Sequence, residues 1–221
     1  MFRAFFGHKR WWIWAWLGSA LILLGTWYKV QLSVQINDWF GAFYDSVQKA
    51  LSQPGSITEA RYLRVIELKT AQLFRAAATL GAIAADLPPE QQAIYGKFGH
   101  DFGMTYQLID DLLDYTADPE VSGKNLGTDL AEGKPTLPLL YAMQKGSEAQ
   151  RALIRDAIAN GRVDRIDAVL ETVEATGAIP YSRALAGEYS VSATAALQGL
   201  PETPHKQALI DLVSFCLRRD S

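Results

Sequence analysis

The stretch of this chain best equipped for chemistry is the run Gln107-Leu-Ile-Asp110-Asp111-Leu-Leu-Asp114-Tyr115. At helical period Asp110 and Asp114 are i,i+4 neighbours, Asp111 and Asp114 are i,i+3, and Gln107 stands one turn before Asp110 on the same face. Carboxylates gathered in this way repel one another unless a cation compensates them. An all-oxygen set without an adjacent His or Cys suits a hard ion such as Mg2+. The same spacing also fits a solvated acidic face, so the run alone leaves both readings open. Residues 116–134 (TADPEVSGKNLGTDLAEGK) follow, too rich in Gly, Asp and Asn for a regular element, and bear Lys124 and Lys134, both preceded by glycine. Two ammonium groups on a glycine-hinged loop beside clustered acids are what binding a metal-complexed polyphosphate requires.

Helices must position these groups. Ser56-Ile-Thr-Glu59 has the spacing of a capping box and opens a long helix with a buried stripe of Tyr62, Val65, Ile66, Leu73, Phe74, Ala77 and Leu80, interrupted by Lys69-Thr70. A lysine in such a stripe ordinarily snorkels to water. Pro88-Pro89 begins a second helix that carries Phe98, Phe102, Ile109 and the aspartates, and Gly96, Gly99 and Gly103 along it predict close approach of a neighbouring helix. A short helix runs from Pro135 to Met143, Ser147 and Gln150 cap another through Ile158, and further helices span about 164–175, 181–198 and 204–218, stopped by Gly177 and Gly199. No strand pattern occurs in this region, so the expected fold is all-α.

The bulk numbers exclude several classes. The chain has 221 residues, net charge -3, one cysteine (Cys216) and three scattered histidines, which leaves no intramolecular disulfide, no thiolate or zinc cage and no nucleic-acid signature. The averages conceal a seam. All six tryptophans precede residue 40, and five basic and three acidic residues through Glu59 leave 16 and 21 for the rest. The join falls at Gln53-Pro54-Gly55-Ser56, giving expected units 1–55 and 56–221.

Residues 11–28 carry no charge and no proline and as a helix would extend roughly 27 Å, near the thickness of a hydrocarbon core, with aromatics at both ends. A transmembrane helix is the expectation, with a signal peptide and a buried soluble helix as alternatives. Arg3, Lys9 and Arg10 before the span would keep the N-terminus in the cytoplasm. Val30, Leu32, Val34 and Ile36 then alternate with polar residues as a strand would, and residues 37–51 read as an amphipathic helix.

Two resemblances follow. Asn37, Trp39, Phe40, Phe43, Tyr44 and Asp45 resemble an early membrane-helix region of the SbmA/BacA peptide-uptake transporters, which favours helix over strand there. That likeness covers only the first quarter of the chain, and one span cannot enclose a translocation path. Lys69-Thr70, then Gly103-x-x-Tyr106-Gln107-x-x-Asp110-Asp111-x-x-Asp114, then Gly123-Lys124-x-x-Gly127-x-Asp129-x-x-x-Gly133-Lys134-x-Thr136-Leu137-Pro138 are similar to the trans-polyprenyl diphosphate synthases, from about Ser56 to the end; Tyr106 stands where phenylalanine is usual.

The second resemblance implies the C-terminal half of an isoprenoid-synthase-type helical bundle. It further implies condensation of isopentenyl diphosphate onto an allylic prenyl diphosphate, as in isoprenoid and quinone side-chain synthesis. Asp110, Asp111 and Asp114 would hold Mg2+ against the leaving diphosphate, Lys69, Lys124 and Lys134 would neutralise it, and Thr70 and Gln107 would line the pocket. A first aspartate-rich motif with its paired arginines, expected before Lys69-Thr70, does not occur in this chain. The expectation is therefore a fusion with negligible turnover by itself, acting as an oligomer or with a complete subunit, its head membrane-associated and its body cytoplasmic. The alternatives are a transporter fragment carrying a passenger and, disfavoured by the Gly-Lys-x-Thr-Leu-Pro segment, a terpene cyclase.

Overall fold

The computed structural model describes residues 13, 16–31, 34, 58–117 and 126–219, in two compact units, Met1–Val47 and Gln48–Ser221. In the first, residues 16–31 form a helix (α1), and residue 34 is helical too. Val30 lies in α1 and Val34 is helical, so neither stands in a strand, while Leu32 and Ile36 of the expected alternation lie outside the described residues. Trp16, Leu21, Leu24 and Trp27 are exposed. Among the described residues no helix is long and apolar enough to cross a membrane. The transmembrane helix expected over 11–28 is thus not borne by the described part of that stretch, and Trp11, Trp12, Trp14 and Ala15 lie outside it. The transporter-like residues Asn37 to Asp45 also lie outside the described residues.

The second unit is all-helical in its described residues. Helix α2 (Glu59–Ile66) is capped by Thr58, whose hydroxyl accepts from the Arg61 amide at 3.3 Å. The expected box began instead at Ser56, which lies outside the described residues. A π turn over Glu67–Ala71 then joins α2 to α3 (Gln72–Ala84). An extra residue in one turn rotates whatever follows by about 100°. The expected stripe therefore holds before the turn and fails after it. Tyr62 and Ile66 are buried, Phe74 is half-buried, and Leu73 and Leu80 are 69% and 63% exposed.

Helix α4 (Pro89–Thr116) is the axis of the unit, packed between α3 and α9 (Ala178–Ala196). Its glycines are there for space. A Cβ on Gly99 would stand 2.5 Å from the carbonyl oxygen of Phe74, and one on Gly103 would stand 2.7 Å from Cα of Ala71. On the opposite side α9 presents the small buried residues Ala178, Ser182, Ala186, Ser190 and Ala193, so both neighbours come close. Phe102 takes Phe74 edge-on at 5.3 Å and stacks on Phe98 at 5.9 Å, filling the core between α3 and α4.

The remaining α-helices among the described residues are α5 (Thr128–Ala131), α6 (Leu137–Lys145), α7 (Glu148–Asn160), α8 (Ile166–Ala175) and α10 (Pro204–Arg218). Ser147 and Gln150 cap α7 reciprocally, as their spacing predicts. Of the segment 116–134, expected to be irregular throughout, Thr116 still belongs to α4 and the described residues 126–134 include the one-turn helix α5, entered through Gly127 at φ 76.

Candidate functional site

The acidic run ends α4, and its three aspartates meet different surroundings. Asp111 is 6% exposed and turned inward. The Tyr62 hydroxyl donates to its Oδ2 at 2.6 Å, and Nε2 of Gln107 donates to its Oδ1 at 2.7 Å. The Thr70 hydroxyl in turn donates to Oε1 of Gln107 at 2.6 Å. Thr70, Gln107, Asp111 and Tyr62 thus form one chain of hydrogen bonds between the α2–π segment and α4.

Asp114 instead organises the backbone after α4. Its Oδ1 accepts the Thr128 amide at 3.0 Å and its Oδ2 the Asp129 amide at 2.9 Å, both at the start of α5, while its carbonyl accepts the Gly127 amide at 3.0 Å. These bonds bring Asp129 back to the end of α4. Asp110, Asp114 and Asp129 line one cleft of ≈ 230 Å³, with Leu113 and Leu126 as apolar walls. Lys134 donates to Oδ1 of Asp129 at 3.0 Å and also pairs with Glu132. A buried bond of 3.0 Å between Tyr115 and Thr136 fixes the chain just beyond Lys134.

Burial pushes the Asp111 carboxyl up to about 7, and the nearby charge of Asp129 adds to the effect. Asp114 is raised to about 6, first by burial, then by Asp129, against the lowering effect of its two amide donors. The cluster is thus more negative than its surroundings readily support. Among the described residues no three acidic, His or Cys side chains stand together as a ready metal cage. The donors nonetheless suit Mg2+ bound to a polyphosphate, which takes one or two carboxylates and draws its remaining ligands from water and phosphate oxygens.

Of the residues expected from sequence, Asp110 and Asp114 meet in the cleft, Thr70, Gln107 and Asp111 meet in the hydrogen-bonded chain beside it, and Lys134 reaches the cleft through Asp129. Lys69 precedes Thr70 in the π turn, and Lys124 lies outside the described residues. The expected convergence of three acids on one patch is altered, because adjacent helical residues point about 100° apart and Asp111 takes the buried direction. Two residues went unread as parts of the site. Asp129 stands within the Gly127-x-Asp129 motif without a role assigned to it, and Tyr62 reads as core. The Tyr106 ring, where phenylalanine is usual in the resembled pattern, lies 5.5 Å from Phe74 and carries the Arg219 guanidinium 5.5 Å from its centre.

Residues 34–173 match the polyprenyl synthetase family model, which therefore reaches into the segment before Ser56. The chain is 49% identical over 166 residues to octaprenyl diphosphate synthase of Escherichia coli strain K12, covering 74% of this chain and 51% of that protein. It is 40% identical over 160 residues to heptaprenyl diphosphate synthase component 2 of Geobacillus stearothermophilus, covering 72% and 49%. Among solved structures it is similar to a polyprenyl synthase from Caulobacter crescentus, with TM-score 0.73, 32% identity, and coverage of 81% of this chain and 56% of that one. The chain spans about half the length of the curated relatives it matches.

Proposed function

The chain belongs to the polyprenyl synthetase family, and from that premise we propose that its body binds a prenyl diphosphate with Mg2+ and takes part in condensing isopentenyl diphosphate onto an allylic diphosphate. The observation that carries this reading is the cleft lined by Asp110, Asp114 and Asp129, with the chain Thr70–Gln107–Asp111 beside it. Acids gathered on one cleft, with the Asp114 carboxyl raised by burial and by Asp129, favour a divalent cation. Bound there, Mg2+ would supply charge stabilisation to the departing diphosphate.

The residues of the chain do the rest. Asp110, Asp114 and Asp129 offer oxygen ligands, and Lys134, steered by Asp129, brings an ammonium group to the rim for the phosphate oxygens. Lys69 and Lys124 are assigned the same role from their places in the motifs. In the condensation the allylic C–O bond breaks with its electron pair going to the diphosphate, the alkene of isopentenyl diphosphate forms the new C–C bond, and a proton leaves. Fixed polar groups that meet this charge separation without reorganising contribute most to the rate.

We also propose that turnover requires a second chain. A relative is named as one component of its enzyme, which supports this reading. The decisive measurement is calorimetric titration of the full chain with inorganic pyrophosphate and Mg2+, alongside incorporation of labelled isopentenyl diphosphate. Saturable, Mg2+-dependent uptake that Asp110→Ala abolishes, with negligible incorporation, is the expected result. Uptake indifferent to that substitution refutes the binding site, and incorporation at the rate of a complete synthase refutes the need for a partner.

A further inference from the structure

The buried side of the acidic run carries an arrangement that holding a cation does not explain. Asp111 is almost wholly buried, and both its oxygens already accept from neutral donors, Tyr62 at 2.6 Å and Gln107 at 2.7 Å. The walls of the acidic cleft include Asp110, Asp114 and Asp129 but not Asp111.

A glutamine amide can be turned either way, and its neighbours decide which end faces where. The Thr70 hydroxyl alone cannot decide, since it can donate or accept. Oδ1 of Asp111 accepts from the NH2 group of Gln107, which leaves Oε1 of Gln107 facing Thr70. Asp111 keeps that setting only while its own carboxylate is held, and the Tyr62 hydroxyl holds it from a helix 49 positions earlier in the chain. Tyr62 lies before the π turn and Thr70 within it, so one bond to α4 fastens the approach to that turn and the other the turn itself.

We propose that Tyr62 and Asp111 are a positioning pair, outside the cation site, which fixes the Gln107 amide with its carbonyl oxygen toward Thr70 and thereby sets the π turn that presents Lys69 and Thr70. This rests on the function proposed above, in which that turn lines the diphosphate pocket. Asp110 and Asp111 are therefore not equivalent, although adjacent and alike in type.

The test follows the Gln107 side-chain amide by 15N–1H NMR in the full chain without added ligand, with its resonances assigned by their loss in Gln107→Ala. Tyr62→Phe keeps the ring and removes only the donor, while Asp111→Asn keeps the shape but replaces one of the two acceptor oxygens by an NH2 donor. Both are expected to move the Gln107 pair, and Asp110→Asn to leave it in place. In parallel calorimetry with Mg2+ and inorganic pyrophosphate, Asp110→Asn is expected to weaken the Kd about tenfold or more and Asp111→Asn clearly less, because it shifts Lys69 and Thr70 but removes no cation ligand. Gln107 resonances unmoved by Tyr62→Phe overturn the positioning role. Uptake lost in Asp111→Asn as completely as in Asp110→Asn, with native resonances elsewhere, shows Asp111 to be a ligand and overturns the proposal equally. If Tyr62→Phe does not fold, Asp111→Asn reads the same coupling from its other partner. Wild-type chain that takes up no pyrophosphate refutes the proposed function, yet leaves the Gln107 signature readable.

Discussion

Replacing Gly103 by alanine tests whether the π turn is held where the site needs it. The added Cβ would lie 2.7 Å from Cα of Ala71 and 3.1 Å from Cβ of Phe74. Carbon atoms pack best at about 3.5–4.0 Å, so α3 and the end of the π turn must retreat by roughly 1 Å. Alanine is the better helix former, worth about 1 kcal/mol over glycine in a helix interior. Against this stand an overpacking cost of about 1–3 kcal/mol and about 1 kcal/mol for the Thr70–Gln107 bond, which the retreat stretches. The backbone contact at Ala71 cannot be relieved by turning a side chain, so the upper part of that range applies. The expected net loss is about 2–3 kcal/mol, or roughly 4–12 °C in Tm for a unit of this size. Gly187 is the internal control: it lies within α9, and a Cβ there would meet nothing within 4 Å, so Gly187→Ala should gain roughly 0.5–1 kcal/mol. Circular dichroism melts of the two variants decide the matter. If Gly103→Ala melts at or above wild type while Gly187→Ala behaves as expected, the close passage of α4 beneath the π turn is wrong.

Two further outcomes follow from buried carboxyls. Asp111 rises from an ordinary 3.8 to about 7 and Asp114 from 3.8 to about 6, so the folded chain retains protons that the unfolded chain has released. Their contribution to stability is fully present below about pH 4 and is lost as the pH rises through about 6 and 7. Asp101 and Glu67 are lowered, so their contribution is lost only at more acid pH and does not mask the effect. The Tm of the metal-free chain should fall between pH 5 and pH 8, with at most about 4 kcal/mol at stake at Asp111, and Asp111→Asn should flatten the profile; a Tm that rises across this window counts against the burial of Asp111. Asp101 is buried near the middle of α4, where Lys97 and Ser192 reach its Oδ2 at 2.6 and 2.7 Å and His100 its Oδ1 at 2.8 Å. Asp101→Asn should lower the urea midpoint by an amount equivalent to about 2 kcal/mol with an unchanged m-value, since Lys97 can turn to water but Ser192 is left poorly paired; an unmoved midpoint contradicts this network.

What could be read from sequence was what depends on local spacing. The Ser147 and Gln150 capping box, the glycines of α4 and the apolar residues of α4 are such cases, because caps, close approach and periodicity are properties of short windows. The π turn has no such signature. It is fastened by the Thr70–Gln107 bond across 37 positions and by the passage of Gly103 beneath Ala71, neither visible in a window around Lys69. The periodic stripe was consequently carried one residue too far, and Leu73 and Leu80 were placed inside. Asp129 was missed for a related reason, since the backbone amides that return it to Asp114 belong to residues 14 and 15 positions away. Tyr62 was read correctly as buried, but an aromatic stripe does not reveal where a hydroxyl points.

The acidic end of α4 explains why the family pattern spaces its residues as it does. Were Asp110, Asp111 and Asp114 all to face one ion, the protein without ligand would have to hold three repelling carboxylates in one place. The fold divides them. Asp111 is withdrawn and held by neutral donors, Asp114 spends its oxygens on two backbone amides of α5, and Asp110 remains on the cleft wall. Asp129 then joins from the far side, raising both Asp111 and Asp114, while Lys134 offsets part of its charge. The residual repulsion is confined to a cleft with apolar sides, where a divalent cation and a polyphosphate would neutralise it together and neither would suffice alone. A cation without phosphate would lack ligands, and a phosphate without a cation would meet acids. Uptake that is cooperative in the two ligands therefore follows from the placement of the four carboxylates, and the two-component titration described above reads that coupling directly.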